Sequence, residues 1–235
     1  MASLVDILRI SLMVAGGATL LLIPISLALA WLLSHRRGWW RGPLEILVTL
    51  PLVLPPTVTG FGLLLLFGRY GPFGRLLAPL GLEVAFTAGG AVLACLVVAL
   101  PLAVRPLVVA MGGVDPNLEK AARTLGAGEW RIFWDITLPL SLHGLVAGVL
   151  LAFARSLGEF GATIIVAGNI PGLTQTLPLA IYTAITTGDD RGALLLTLIS
   201  VGLAVVLVLV LARVEGSLVA TASTPVSRTG GEGRS

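Results

Sequence analysis

Five long stretches of the chain run without a formal charge, and between them the polar residues gather in short clusters. The charge-free stretches are residues 10–35, 46–68, 84–104, 136–154 and 192–212, with His35 and His143 the histidines inside them. A helix needs about 20 consecutive apolar residues to cross the hydrocarbon core of a bilayer. The pattern therefore predicts five membrane-spanning helices: Leu8 to Leu33, Leu44 to Phe67, Val84 to Ala110, Pro139 to at least Ala154, and Gly192 to Ala212. Gly16, Gly17 and Pro24 interrupt the first span, which neighbouring helices can tolerate by re-satisfying freed backbone groups. Pro51 and the pair Pro55-Pro56 predict a kinked or partly unwound second span, and Pro101 and Pro106 fall near the end of the third.

Residues 160–188 carry no charge either, but Gly168-Asn169, Pro171-Gly172 and Pro178 break them up, with Thr and Gln between. A sixth complete span here would bury many polar groups without partners. The pattern favours a fourth helix ending near Gly168, an outer loop and a short amphipathic helix around Leu177–Ile185, and six spans stay open as the alternative. The expected fold is an all-α, polytopic transmembrane bundle over residues 1–215, with a polar, disordered tail over 216–235.

Composition sharpens this picture. Hydrophobic residues make up 56% of the 235, and charged residues only 11%, against about a quarter in an ordinary soluble domain. That excludes a soluble enzyme and a disordered regulator. A net charge of +3 is too small for nucleic-acid binding. The single Cys95 excludes an intrachain disulfide, and the two histidines have no clustered Cys or carboxylate neighbours in sequence, so no metal site is expected. The first apolar run is too long for a signal-peptide core, and His35-Arg36-Arg37 follows it where a cleavage site would stand. Arg36, Arg37, Arg41, Lys120, Arg123 and Arg131 on one set of loops outnumber Arg69, Arg75 and Arg191 on the other. The positive-inside rule then places the N-terminus outside, segment 111–137 inside and the C-terminus inside.

Segment 111–137 is the most informative one. Asp115 is a good N-cap, Pro116 suits the first helical position, and Gly126 can end a helix in the left-handed conformation. Leu118, Ala121, Ala122 and Leu125 share one face. A short capped helix of this kind either docks on a partner or lies on lipid headgroups. Its spacing resembles the EAA loop of ABC importer permeases: Lys120-Ala121-Ala122, three residues, Gly126, nine residues, then Ile136-Thr137-Leu138-Pro139. The first position departs from that pattern, Lys120 standing where the family has an acid, with Glu119 just before it. The resemblance implies a coupling helix seated in a groove of an ATP-hydrolysing subunit, with Glu119, Lys120, Ala121, Ala122, Leu125 and Gly126 at the contact.

Three further stretches resemble the molybdate permeases of these importers: Leu52–Val58, Leu150–Thr163 and Gly168–Pro178. Sulfate and tungstate permeases share parts of these patterns. The resemblance implies a type I importer fold and a prokaryotic cytoplasmic (inner) membrane. It also implies a homodimer with a second copy, two ABC ATPase subunits that bind ATP-Mg, and an extracytoplasmic oxyanion-binding protein. The chain itself needs no cofactor and is no enzyme, since no Gly-x-x-x-x-Gly-Lys-Ser/Thr phosphate loop occurs in it. A stand-alone channel or carrier and a membrane enzyme are the readings from other classes. The latter's nearest dyad, His143 and Glu159, lies about 24 Å apart on one straight helix.

Arg155 and Glu159 are one helical turn apart in a predicted span. Intramembrane charges are costly and functional by default, so Arg155 either faces the path of a dianion or pairs with Glu159 to fix packing. Thr57, Thr59, Ser156 and Thr163 are hydroxyl residues that either line such a path or bond backbone between helices.

Overall fold

A computed structural model describes the backbone of residues 3–35 and 38–222, and the side chains as far as Val214's neighbour Arg213. The elements follow the apolar pattern, and no strand occurs among the described residues. α1 (Leu4–His35) runs unbroken through Gly16, Gly17 and Pro24. α2 (Arg41–Val53) and α3 (Pro56–Phe67) form the second apolar stretch, bent by 118° at Leu54–Pro55. The break has a direct cause. A residue before proline is pushed out of the helical region, and Leu54 and Pro55, which precede Pro55 and Pro56, hold ψ at 141° and 135°.

After α4 (Pro72–Leu77) and a 3-10 turn, α5 (Ala88–Gly112) starts at Thr87, whose hydroxyl accepts the Gly90 N–H. α6 (Pro116–Thr124) and α7 (Glu129–Ile132) follow, then a widened π-helical turn over Phe133–Thr137 and α8 (Leu138–Leu140). Pro139 has no N–H for the carbonyl four residues back, and Leu138 N–H bonds Phe133 five residues back instead. The segment Glu129–Leu140 meets α9 (Leu142–Leu157) at 70°. α10 (Gly161–Ala167), α11 (Leu177–Thr186) and α12 (Asp190–Ala222) complete the described residues.

Three helices, α1, α5 and α12, are long and apolar enough to cross a membrane alone, and the two bent pairs bring the number to five. Residues 160–188 make no sixth span: the 10 residues of α11 reach about 15 Å at 1.5 Å each, half a bilayer core. Asn169, Gln175 and Thr183 pair with one another, while the buried Thr176 hydroxyl has no hydrogen-bond partner. Asn169 Nδ2 donates to Thr183 Oγ1 at 2.7 Å, and Gln175 Nε2 donates to Asn169 Oδ1 at 3.0 Å. Ser11 Oγ on α1 accepts the Leu177 N–H at 2.7 Å. α12 continues to Ala222, past the expected boundary at 215, and the rest of the expected tail, 223–235, lies outside the described residues.

The bundle centres on α1, α5 and α9, packed through small residues. Ala15, Ala18, Ala91, Ala94, Ala99, Ala103 and Ala152 are fully or almost fully buried. In lipid, apolar burial does not drive helices together, so close approach and dispersion must do so. A Cβ on Gly148 would stand 2.5 Å from the Ala103 carbonyl oxygen, and one on Gly144 would collide with Ala110. By contrast α12 has no buried residue among its described side chains, and α2 buries only Val48. Their apolar faces look outward, to lipid or to another chain.

Candidate functional site

At one end of the bundle, α6 sits on the last turn of α1 and on the π-turn. Its cap follows the sequence closely: Asp115 Oδ1 accepts the Asn117 N–H at 2.9 Å, with Pro116 at the first helical position. Its far end is a Schellman closure. Ala127 N–H bonds the Ala122 carbonyl, Gly126 N–H bonds the Arg123 carbonyl, both at 3.0 Å, and Gly126 takes φ +87°.

The orientation of α6 is the reverse of an ordinary amphipathic helix. Leu118 and Leu125 are exposed (47% and 89%), with Ala121 and Lys120 exposed beside them and Ala122 half-buried. The acidic residue points inward. Glu119 is buried, and its Oε1 accepts hydrogen bonds from His35 Nε2 at 2.9 Å and Thr137 Oγ1 at 2.8 Å. Oε2 lies 3.5 Å from Arg123, which also grips Glu129 at 2.6 and 3.2 Å. Burial pushes the Glu119 carboxyl up, but the hydrogen bonds from His35 and Thr137 and the nearby charges outweigh it and hold it below the usual carboxylate range.

This arrangement changes two expectations. Glu119 is not on the outward face with Lys120, Ala121, Leu125 and Gly126, because about 100° of helix rotation separates successive side chains. His35, isolated in sequence, has a carboxylate partner 84 residues away. Nothing in the linear pattern marks His35 or Thr137 as members of this cluster. Trp31 stacks on His35 and meets Phe133 edge-on, which fixes the imidazole from the side.

Nearer the opposite end, α9 stops at Leu157 and α10 restarts at Gly161. Arg155 Nη2 and Glu159 Oε2 are 2.7 Å apart, and Glu159 Oε1 accepts the Ala162 N–H at 2.7 Å. The Glu159 side chain is only 1% exposed. It holds the cationic end of α9 with one oxygen and the first turn of α10 with the other. Arg155 lies in the half of the bundle away from α6, because the neighbouring Ser156 carbonyl accepts from Cys95 Sγ at 3.6 Å, early in α5.

The hydroxyl residues converge on this break to different degrees. Thr163 is fully buried, 3.9 Å from Cys95 Sγ. The hydroxyls of Thr59 and Ser156 are buried without a hydrogen-bond partner. Thr57 is exposed on α3, and a Cβ on Gly161 would lie 3.5 Å from its methyl. Gly60 lets α3 press on α10: a Cβ there would stand 2.8 Å from Ala162 Cα. Asn169, Gln175 and Thr183 form a further polar cluster that the residue pattern did not single out.

Comparison with known proteins gives a consistent result. The profile of the family described as "Binding-protein-dependent transport system inner membrane component" matches residues 22–219. The molybdenum transport system permease protein ModB of Escherichia coli (strain K12) is 50% identical over 211 residues, covering 88% of this chain and 92% of that protein. ModB of Mycobacterium tuberculosis (strain H37Rv) is 44% identical over 201 residues, covering 85% and 76%. Among solved structures, a bacterial alginate ABC transporter in complex with its pentasaccharide-bound periplasmic protein superposes with a TM-score of 0.71. It shares 16% identity and covers 94% of this chain and 80% of that one.

Proposed function

The chain belongs to the binding-protein-dependent transport system inner membrane component family, and from that premise we propose that it is the membrane permease of an ATP-driven molybdate importer. The observation that carries the reading is α6: a capped helix at one end of the bundle whose apolar face, Leu118, Ala121 and Leu125, looks away from its own chain. The names of the relatives from Escherichia coli and Mycobacterium tuberculosis support molybdenum as the cargo.

In this reading α6 seats in a groove of a cytoplasmic ATPase subunit that binds ATP-Mg. Two such subunits serve two copies of this chain, and an extracytoplasmic binding protein delivers the anion. The end of the bundle that carries α6 and His35 faces the cytoplasm, the N-terminus lies outside, and the protein resides in a prokaryotic cytoplasmic membrane. Closure of the ATPases brings the two α6 helices together and turns the path outward, an alternating-access cycle driven by differential contacts in two states.

The path runs between the copies past the α9–α10 break. Thr57, exposed on α3, offers it a neutral hydroxyl, and a weak polar contact of this kind lets an anion leave as well as enter, whereas Thr163 and the hydroxyls of Thr59 and Ser156 are buried within the chain and reach the path only when the break opens during the cycle. The Arg155–Glu159 pair holds the break in shape.

The test is purification of the tagged chain from detergent-solubilised membranes, with the ATPase activity of co-purifying subunits assayed against binding protein loaded with molybdate, tungstate or sulfate. Stimulation by the molybdate-loaded form is expected. Stimulation by tungstate or sulfate alone would reassign the cargo, and a chain that purifies without any nucleotidase would overturn the importer reading.

A further inference from the structure

We propose that Glu119 is a positioning residue of the transport cycle, a latch that ties the coupling helix α6 to the end of α1 and to the π-turn, and so passes displacement of α6 into the membrane bundle. This rests on the reading of α6 as the ATPase-docking helix and assigns its neighbouring acid a different task from the contact itself.

Four observations converge on Glu119. The side chain is mostly buried, 11% exposed, at the junction of three elements. One oxygen accepts from two donors far apart in the sequence, His35 at the end of α1 and Thr137 at the end of the π-turn, at 2.9 and 2.8 Å. Thr137 is 1% exposed and its carbonyl in turn accepts the Ser141 N–H at 3.1 Å, at the bend into α9. The second oxygen faces Arg123, whose guanidinium spans to Glu129 at the start of α7. A displacement of α6 therefore pulls α1 through His35 and the α9 hinge through Thr137.

Apolar packing between α6 and the bundle is thin, so the carboxylate carries the connection. α6 buries no residue other than Glu119, and α1 meets it through His35. A helix held by a charge-assisted hydrogen-bonded junction moves with it as a unit, since breaking such a junction leaves a buried carboxylate unpaired. Helices held by loose apolar contact would slide.

The experiment uses the assembled complex in proteoliposomes and reads ATP hydrolysed per anion imported, with ATPase co-purification recorded for each variant. In Glu119→Ala the latch is gone while Leu118, Ala121 and Leu125 remain, so the ATPase should still co-purify while the ATP cost per imported anion rises roughly tenfold, within the range of known coupling free energies. Glu119→Gln is the rescue: its amide oxygen can keep the His35 and Thr137 bonds and loses only the Arg123 pair, so coupling should stay within about twofold of wild type. Thr137→Val removes one donor and keeps the buried volume, and should give an intermediate loss if the alanine variant fails to assemble. An unchanged ATP-to-anion ratio in Glu119→Ala, or in Thr137→Val where that variant is the one that assembles, overturns the latch. So does an equal loss in Glu119→Gln and Glu119→Ala. A wild-type chain that holds no ATPase would instead overturn the importer reading, which keeps the two failures apart.

Discussion

Glu119 and Lys120 are neighbours in sequence but meet different surroundings on α6: the carboxylate is buried 2.9 Å from His35, and the ammonium is exposed. Among the described residues Lys120 makes no ion pair, whereas Arg123 and Arg131 are held by Glu129 and Asp135. Lys120 is therefore the cation this helix leaves free for a partner. Replacing it with Ala should change the thermal stability of the chain by no more than about 0.5 kcal/mol, as for surface sites generally. It should also slow association with the ATPase and flatten its salt dependence, as rim charges do. Association kinetics at two ionic strengths check this, and wild-type rates at both would remove Lys120 from the contact.

Acid should weaken the Glu119 junction, since protonation removes the charge from the bonds with His35 and Thr137 and the pair with Arg123. The Glu119 carboxyl titrates below its ordinary value of about 4.3, so its ionised form stabilises the folded junction in full above that pH. That contribution disappears as pH falls through the lowered folded value. The fluorescence of Trp130, on the exposed side of α7, should therefore report a change below about pH 4.3 that Glu119→Gln does not show. The same acid transition in both proteins would assign it to another group.

Gly126 is required for its backbone, since a Cβ there would meet nothing within 4 Å. At φ +87° a β-branched residue is strained by about 1–3 kcal/mol. Gly126→Val should open the Schellman closure and lower the ATP-to-transport coupling of the complex without blocking membrane insertion. Gly126→Asn, which tolerates the left-handed region, should keep most of it. Equal coupling in all three chains would remove the closure from the docking role.

Much of this was legible in the residues because it depends on local chemistry. The spans follow from charge-free runs, the α2–α3 break from Pro55-Pro56, and both ends of α6 from Asp115, Pro116 and Gly126. What escaped the sequence is pairing at long range. His35 and Glu119 are 84 residues apart, and Asn169, Gln175 and Thr183 satisfy one another across a turn and a helix face. A linear pattern gives the side on which Leu118 and Leu125 lie, but not whether that side faces inward. On α6 an acid is buried and both leucines are exposed beside the cations, so the apolar-inside rule fails there.

Close contact between α5 and α9 rests on absent side chains. Gly148→Leu would drive its side chain into the Ala103 carbonyl and should destabilise the purified chain in detergent by about 1–3 kcal/mol, the usual range for overpacking. Gly158→Ala, where a Cβ has only the Ala154 oxygen at 3.9 Å, should stay within about 0.5 kcal/mol. Thermal unfolding followed by circular dichroism distinguishes the pair, and equal midpoints would contradict the packing described here.

The Arg155–Glu159 pair is a packing clamp across the α9–α10 break, because both Glu159 oxygens are already engaged by Arg155 and by the Ala162 N–H. Removing the cation alone strands a buried carboxylate, so Arg155→Ala should cost about 3 kcal/mol, the low end for breaking a buried pair, since the Arg155 side chain is 31% exposed. Neutralising the partner as well should reverse this. In Arg155→Ala/Glu159→Gln the amide oxygen still accepts the Ala162 N–H while the stranded charge is gone, so both the unfolding temperature and anion uptake should return most of the way to wild type. A double variant that regains its stability and still fails to import would show that the guanidinium meets the anion on its way through.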